Sequence, residues 1–128
     1  MKPLRAAGLA LLVLLALCGL RAQSAKPVVV VLRLDDTIQP ISEDYFNRAL
    51  NHAADIKADA LLIELNTPGG LLSTTRNMVG RIGTSPVPVI VYVSPDGARA
   101  GSAGFFLLEA ADIAAMAPGT NADRRAHV

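Results

Sequence analysis

Two loops of small residues hold the side chains and amides best suited to covalent chemistry. One is Asn66-Thr67-Pro68-Gly69-Gly70; the other runs Gly97-Ala98-Arg99-Ala100-Gly101-Ser102-Ala103-Gly104. A serine becomes a useful nucleophile when its hydroxyl stands on a sharp turn at a helix start. There the unpaired backbone N–H groups stabilise developing negative charge. Ser102, flanked by Gly101, Ala103 and Gly104, fits that setting. The same string also suits a plain helix N-cap. It is not the G-x-S-x-G elbow, because Ala100 fills the first glycine position. Pro68-Gly69-Gly70 makes a turn, and its glycines also let backbone approach a substrate closely. The Gly70 N–H is then an oxyanion donor, and the chain after it can pair with an extended peptide. Taken singly, each loop is better read as a cap or a turn.

Candidate bases are few. The lysines are Lys2, Lys26 and Lys57, and the histidines are His52 and His127. Lys57 follows the first expected helix, away from the strand ends that carry the loops. His52 reads as a solvated helix residue, Arg99 as a solvated loop arginine and Asp112 as a surface or capping acid. Cys18 is the sole cysteine, which leaves no intramolecular disulfide and no thiolate metal site. No metal-ligand cluster and no complete phosphate-binding motif is present, and no cofactor is implied.

The elements that position these loops alternate. Residues 28–34 (VVVVLRL) form a β-branched apolar run suited to a buried strand. Ser42 is a plausible N-cap, with Glu43 and Asp44 in the first turn. Tyr45, Phe46, Ala49, Leu50, Ala53 and Ile56 then recur on one helical face. Residues 60–65 (ALLIEL) make a second strand. Residues 71–82 make a second helix, whose buried side is Leu71, Leu72, Thr75, Met78, Val79 and Ile82. Residues 88–93 (PVIVYV) form a third strand, 102–111 a third helix and 113–116 a short fourth strand. Strands separated by helices predict βαβ crossovers and a mostly parallel sheet. In such sheets ligands bind beyond the carboxyl ends of the strands, where both loops fall.

With 128 residues, the chain has room for one domain. Lys2 and Arg5 precede an apolar run from Leu9 to Leu20, and small residues follow at Ala22, Ser24 and Ala25. This predicts a signal peptide over residues 1–24, cleaved after Ala22 or Ser24, and an exported protein. An uncleaved anchor is the alternative, although the run is short of the ~20 residues that a membrane span needs. Without Lys2, Arg5 and Arg21, nine basic residues face eleven acidic ones, a formal charge of −2. No basic patch interleaved with aromatics exists, which argues against nucleic-acid binding.

Together the strings ALLIELNTPGGL, SPVPVIVYVSPDGARAGSAG and AAMAPGTN resemble the N-terminal protease domain of the NfeD family, membrane-bound serine proteases of the ClpP class. The resemblance runs from about Val28 to Asn121. It implies a ClpP/crotonase-like α/β spiral of ββα units with a mostly parallel sheet, incomplete at the C-terminus, in a partial domain over residues 25–128. It implies Ser102 as nucleophile, the N–H groups of Gly70 and Ala103 as oxyanion donors, and Gly69, Leu71 and Leu72 along the substrate. Relatives use a Ser–Lys dyad, some cleave a hydrophobic segment of a stomatin-like membrane protein, and they assemble as dimers or larger oligomers, which implies a peptide or membrane-protein substrate met on the periplasmic or extracytoplasmic side by a homo-oligomer.

The tail departs from the pattern. After Ala117-Pro118-Gly119-Thr120-Asn121 the chain reads Ala122-Asp123-Arg124-Arg125-Ala126-His127-Val128, where relatives continue with small residues. The dyad lysine expected well after Ser102 is absent, which points to a truncated chain with little activity alone. His127 lies 25 residues after Ser102 (127 − 102), an interval similar to the one in ClpP, but the resemblance is to the lysine branch. Two rivals follow: a non-catalytic peptide-binding or assembly module of the same fold, and a crotonase-type acyl-thioester enzyme. Export argues against the second.

Overall fold

The computed structural model describes residues 26–125. The expected signal segment and His127 lie outside them. In chain order the elements are β1 (Val29–Asp35), α1 (Pro40–Asp55), β2 (Ala60–Asn66), α2 (Leu72–Gly83), β3 (Val89–Val93), β4 (Arg99–Gly101), α3 (Ala103–Ala110), β5 (Ile113–Met116) and β6 (Asn121–Asp123).

The β-branched runs assemble into a four-stranded sheet ordered β1-β2-β3-β5, parallel throughout. The register sets Val31 beside Leu62, Leu62 beside Ile90, and Ile90 beside Ile113. One face carries the core. Leu32, Leu34, Leu61, Ile63, Leu65, Val89, Val91 and Val93 are buried there, and the helices bring Phe46, Leu50, Met78, Ile82 and Leu107 against them. Each such side chain contributes on the order of 1.5–3 kcal/mol on burial.

The other face differs from the sequence expectation. Residues 28–34 read as a strand buried on both sides, yet Val29 and Val31 are exposed, as is Ile113 on the β5 edge. Strand pleating sends alternate side chains to opposite faces, and no described helix covers this one.

Local corrections have equally local causes. The α1 N-cap is Gln39, with Pro40 in the first turn, where a missing N–H costs nothing. Ser42 sits at the third helical position instead, its Oγ accepting from the Gln39 N–H at 3.3 Å and donating to the Thr37 carbonyl at 3.1 Å. Tyr45 and Ile56 are exposed, so the buried α1 stripe narrows to Phe46, Leu50 and Ala53. Leu71 and Leu72 are exposed too. They stand at the mouth of α2, beyond the sheet, whereas Thr74, Thr75, Met78 and Ile82 face inward.

Two short strands were not legible. β4 and β6 pair in parallel, Arg99 with Asn121, Ala100 with Ala122 and Gly101 with Asp123. Thr67 bridges to Ala100 and so ties this second sheet to the end of β2. The chain therefore runs β3 in the large sheet, β4 in the small one, then α3; β5 and β6 repeat the alternation. This is the ββα cycle of a spiral fold, and it carries the segment before Ser102 back over the loop after β2. Among the described residues no helix is long and apolar enough to cross a membrane.

Candidate active site

The first wall of the site is the turn after β2. Gly69 has φ +133°, a conformation that side chains with a Cβ rarely adopt. A Cβ added there would lie 2.9 Å from Ser102 Cβ. Beyond it the backbone pairs with Ile38: the Ile38 N–H donates to the Gly69 carbonyl at 2.8 Å, and the Leu71 N–H donates to the Ile38 carbonyl at 2.9 Å. In this bridge the polar groups of residue 70 itself face away from Ile38. The approach is so close that a Cβ on Gly70 would fall 2.1 Å from the Ile38 carbonyl oxygen.

The second wall is the start of α3. Ser102 takes φ 46° and ψ −101°, one of two non-glycine residues with positive φ among those described. It holds the N-cap position, but its side chain makes no capping hydrogen bond. Its own N–H donates to the Asp123 carbonyl at 2.6 Å, and its carbonyl accepts from the Phe105 N–H at 3.1 Å. The backbone is thus held at both ends while the half-buried hydroxyl is left uncommitted. As the first residue of α3, Ala103 has an N–H with no intrahelical acceptor.

Ser102, Gly70 and Ala103 line one cleft of about 60 Å³, together with Leu72, Thr75 and Phe106. A groove of about 600 Å³ between α2 and α3 shares Leu72, Thr75 and Phe106 with it and continues past Val79 and Ala110, with Arg76 and Glu109 in its lining. Gly69 abuts Ser102, and exposed Leu71 adjoins the cleft through its neighbours Gly70 and Leu72. The sequence-derived residues therefore converge. The sequence does not mark Thr67, Thr75, Phe106 and Ile38 as site residues; Thr75 reads there only as part of a buried helix face, and Thr67 only as part of the Asn-Thr-Pro-Gly-Gly string.

Among the described residues no ionisable side chain lines the cleft. Lys26 and Lys57 belong to the opposite end of the sheet, near the pairing of the Asp59 N–H with the Val28 carbonyl at 2.8 Å. His52 and Arg99 are exposed. Asp112 is a strand clamp: its Oδ2 accepts from the Val89 N–H at 2.8 Å, where β3 begins. A cavity of about 400 Å³ beside Arg33, Glu64 and Tyr92 holds an Arg33–Glu64 ion pair at 2.9 Å and lies apart from Ser102. Among the described residues no group of three or more His, Cys, Asp or Glu side chains is placed to hold a metal.

Solved structures share this architecture. A ClpP1 mutant from Listeria monocytogenes superposes with a TM-score of 0.65 at 19% identity, over 71% of this chain and 53% of that one, which establishes a ClpP-like α/β fold. A lysine-to-alanine mutant of the 1510-N membrane-bound stomatin-specific protease, in complex with a substrate peptide, superposes with a TM-score of 0.72 at 42% identity, over 76% of this chain and 44% of that one. The membrane-bound protease PH1510 of Pyrococcus horikoshii is 42% identical over 97 residues, 76% of this chain and 22% of that protein. Residues 28–126 match the family model described as NfeD1b, N-terminal domain, and the chain belongs to that family. It spans less than a quarter of the length of this curated relative.

Proposed function

We propose that this chain carries the nucleophile and oxyanion donors of a membrane-associated serine peptidase. Ser102 Oγ attacks a peptide carbonyl, and its proton passes to a base. The oxygen of the tetrahedral adduct accepts from the Gly70 and Ala103 N–H groups. Collapse expels the amine, which takes that proton, and water hydrolyses the Ser102 ester in a second round. Gly69, Leu71 and Leu72 line the extended substrate. The single observation that carries this proposal is a serine hydroxyl with no capping hydrogen bond that shares one cleft with Gly70 and Ala103, whose N–H groups have no bridge or intrahelical partner.

By analogy with the Ser–Lys relatives the base is a lysine, and neither Lys26 nor Lys57 lines the cleft. The substrate is a hydrophobic segment of a membrane protein, stomatin-like by analogy with the relatives, met on the extracytoplasmic side by an exported homo-oligomer. A cleft lined, among the described residues, by Gly70, Leu72, Thr75, Ser102, Ala103 and Phe106 also suits a second reading, a module that binds an extended apolar peptide without cutting it.

Treatment with a peptidyl fluorophosphonate separates the two. An oxyanion hole and binding alone retain about 10³–10⁴-fold rate enhancement over water when a catalytic partner is missing. Slow formation of a single adduct on Ser102, lost in Ser102→Ala, is the expected result. No adduct, or equal labelling of Ser102→Ala, leaves only the binding module.

A further inference from the structure

Thr67 is fully buried and uses every polar group it has. Its hydroxyl donates to the Gly69 carbonyl at 3.1 Å and accepts from the Gly69 N–H at 3.1 Å. Its own N–H donates to the Arg99 carbonyl at 2.8 Å, and its carbonyl accepts from the Gly101 N–H at 2.9 Å. Its methyl fills the space beside Gly104, where a Cβ would meet Cγ2 at 2.5 Å. One side chain thus touches the turn on one side of Ser102 and the helix start on the other.

The carbonyl of Gly69 and the N–H of Gly70 are opposite ends of one planar, trans peptide unit. Whatever fixes the direction of that carbonyl fixes the direction of that N–H. The carbonyl has two donors, the Ile38 N–H at 2.8 Å and the Thr67 hydroxyl at 3.1 Å. We infer that Thr67 is a positioning residue: its hydroxyl locks the Gly69–Gly70 peptide plane so that the Gly70 N–H points at the oxyanion position. This rests on the proposed role of Gly70. Without the hydroxyl, the plane hinges on Ile38 alone and the buried Gly69 N–H loses its acceptor.

Thr67→Val and Thr67→Ser separate this role from packing. Valine keeps the shape and removes the hydroxyl; serine keeps the hydroxyl and removes the methyl. Saturation kinetics of Ser102 phosphonylation give kinact and KI separately. Thr67→Val lowers kinact about 10- to 100-fold, short of the full loss of a donor, with KI within about twofold. Thr67→Ser stays within about threefold of the unsubstituted protein in both. A valine variant as fast as the unsubstituted protein, or a serine variant slower than the valine one, overturns the inference. So does a Gly69 amide that exchanges with solvent at the unprotected rate, a measurement that needs no variant to fold. If the unsubstituted protein shows no Ser102 adduct, the nucleophile assignment falls and takes this role with it. If it labels and Thr67→Val labels equally, only the role of Thr67 falls.

Discussion

Replacing Ser102 with glycine is expected to abolish acylation and, at the same time, to stabilise the domain. The chemistry is lost because no nucleophile remains to form the ester or the phosphonyl adduct. The stability gain comes from the backbone. At φ 46° and ψ −101°, Ser102 occupies a region open to glycine and strained for a residue with a Cβ. Such strain is worth about 1–3 kcal/mol. Glycine also adds freedom to the unfolded chain, worth about 0.5–1 kcal/mol against it, which leaves a net gain on the order of 1 kcal/mol. Ser102→Ala keeps the strain and gains nothing. Urea denaturation of the two variants checks this: the glycine variant has the higher midpoint at an unchanged slope. Equal midpoints mean that the elbow stores no strain.

Gly70→Ala is expected to fail on both counts. The added methyl meets the Ile38 carbonyl oxygen at 2.1 Å and the Ile38 Cβ and N at 2.6 Å. None of these is the end of a flexible side chain, and Ile38 is fully buried, so the two segments must separate. Overpacking of this kind costs about 1–3 kcal/mol, occasionally more. It also moves the Gly70 N–H, and losing an oxyanion donor costs about 10²–10³ in rate. The comparison is Gly80→Ala on α2, where an added Cβ meets nothing within 4 Å. That substitution is expected to leave labelling unchanged and to add up to about 1 kcal/mol through helix propensity. Thermal melts and phosphonylation rates of the pair read both effects. A Gly70→Ala protein that labels at the unsubstituted rate contradicts the donor role.

The large sheet was legible because its strands are written in Val, Ile and Leu, and α1 and α2 because apolar residues recur at helical spacing. β4 and β6 were not, since Arg-Ala-Gly and Asn-Ala-Asp carry no strand signal. They exist through pairing with each other and through Thr67. Helical periodicity assigned Leu71 and Leu72 to a buried face, but the cleft opens where α2 begins, and both are exposed. At Ser102 the sequence left cap and nucleophile as alternatives. The folded chain removes the side-chain cap, through a dihedral pair and a missing capping bond that spacing does not encode, and the nucleophile stays a proposal. Thr67 stands in the sequence only as part of the Asn-Thr-Pro-Gly-Gly string; its proposed role depends on burial and on two contacts with Gly69 that only the folded turn creates.

The most direct measurement is a crystal structure of the phosphonylated protein. The phosphonyl group is expected on Ser102 Oγ, with its free oxygen about 2.7–3.1 Å from both the Gly70 and the Ala103 nitrogens. An adduct on another side chain, or a Ser102 adduct whose oxygen turns to solvent and meets neither amide, contradicts the oxyanion site.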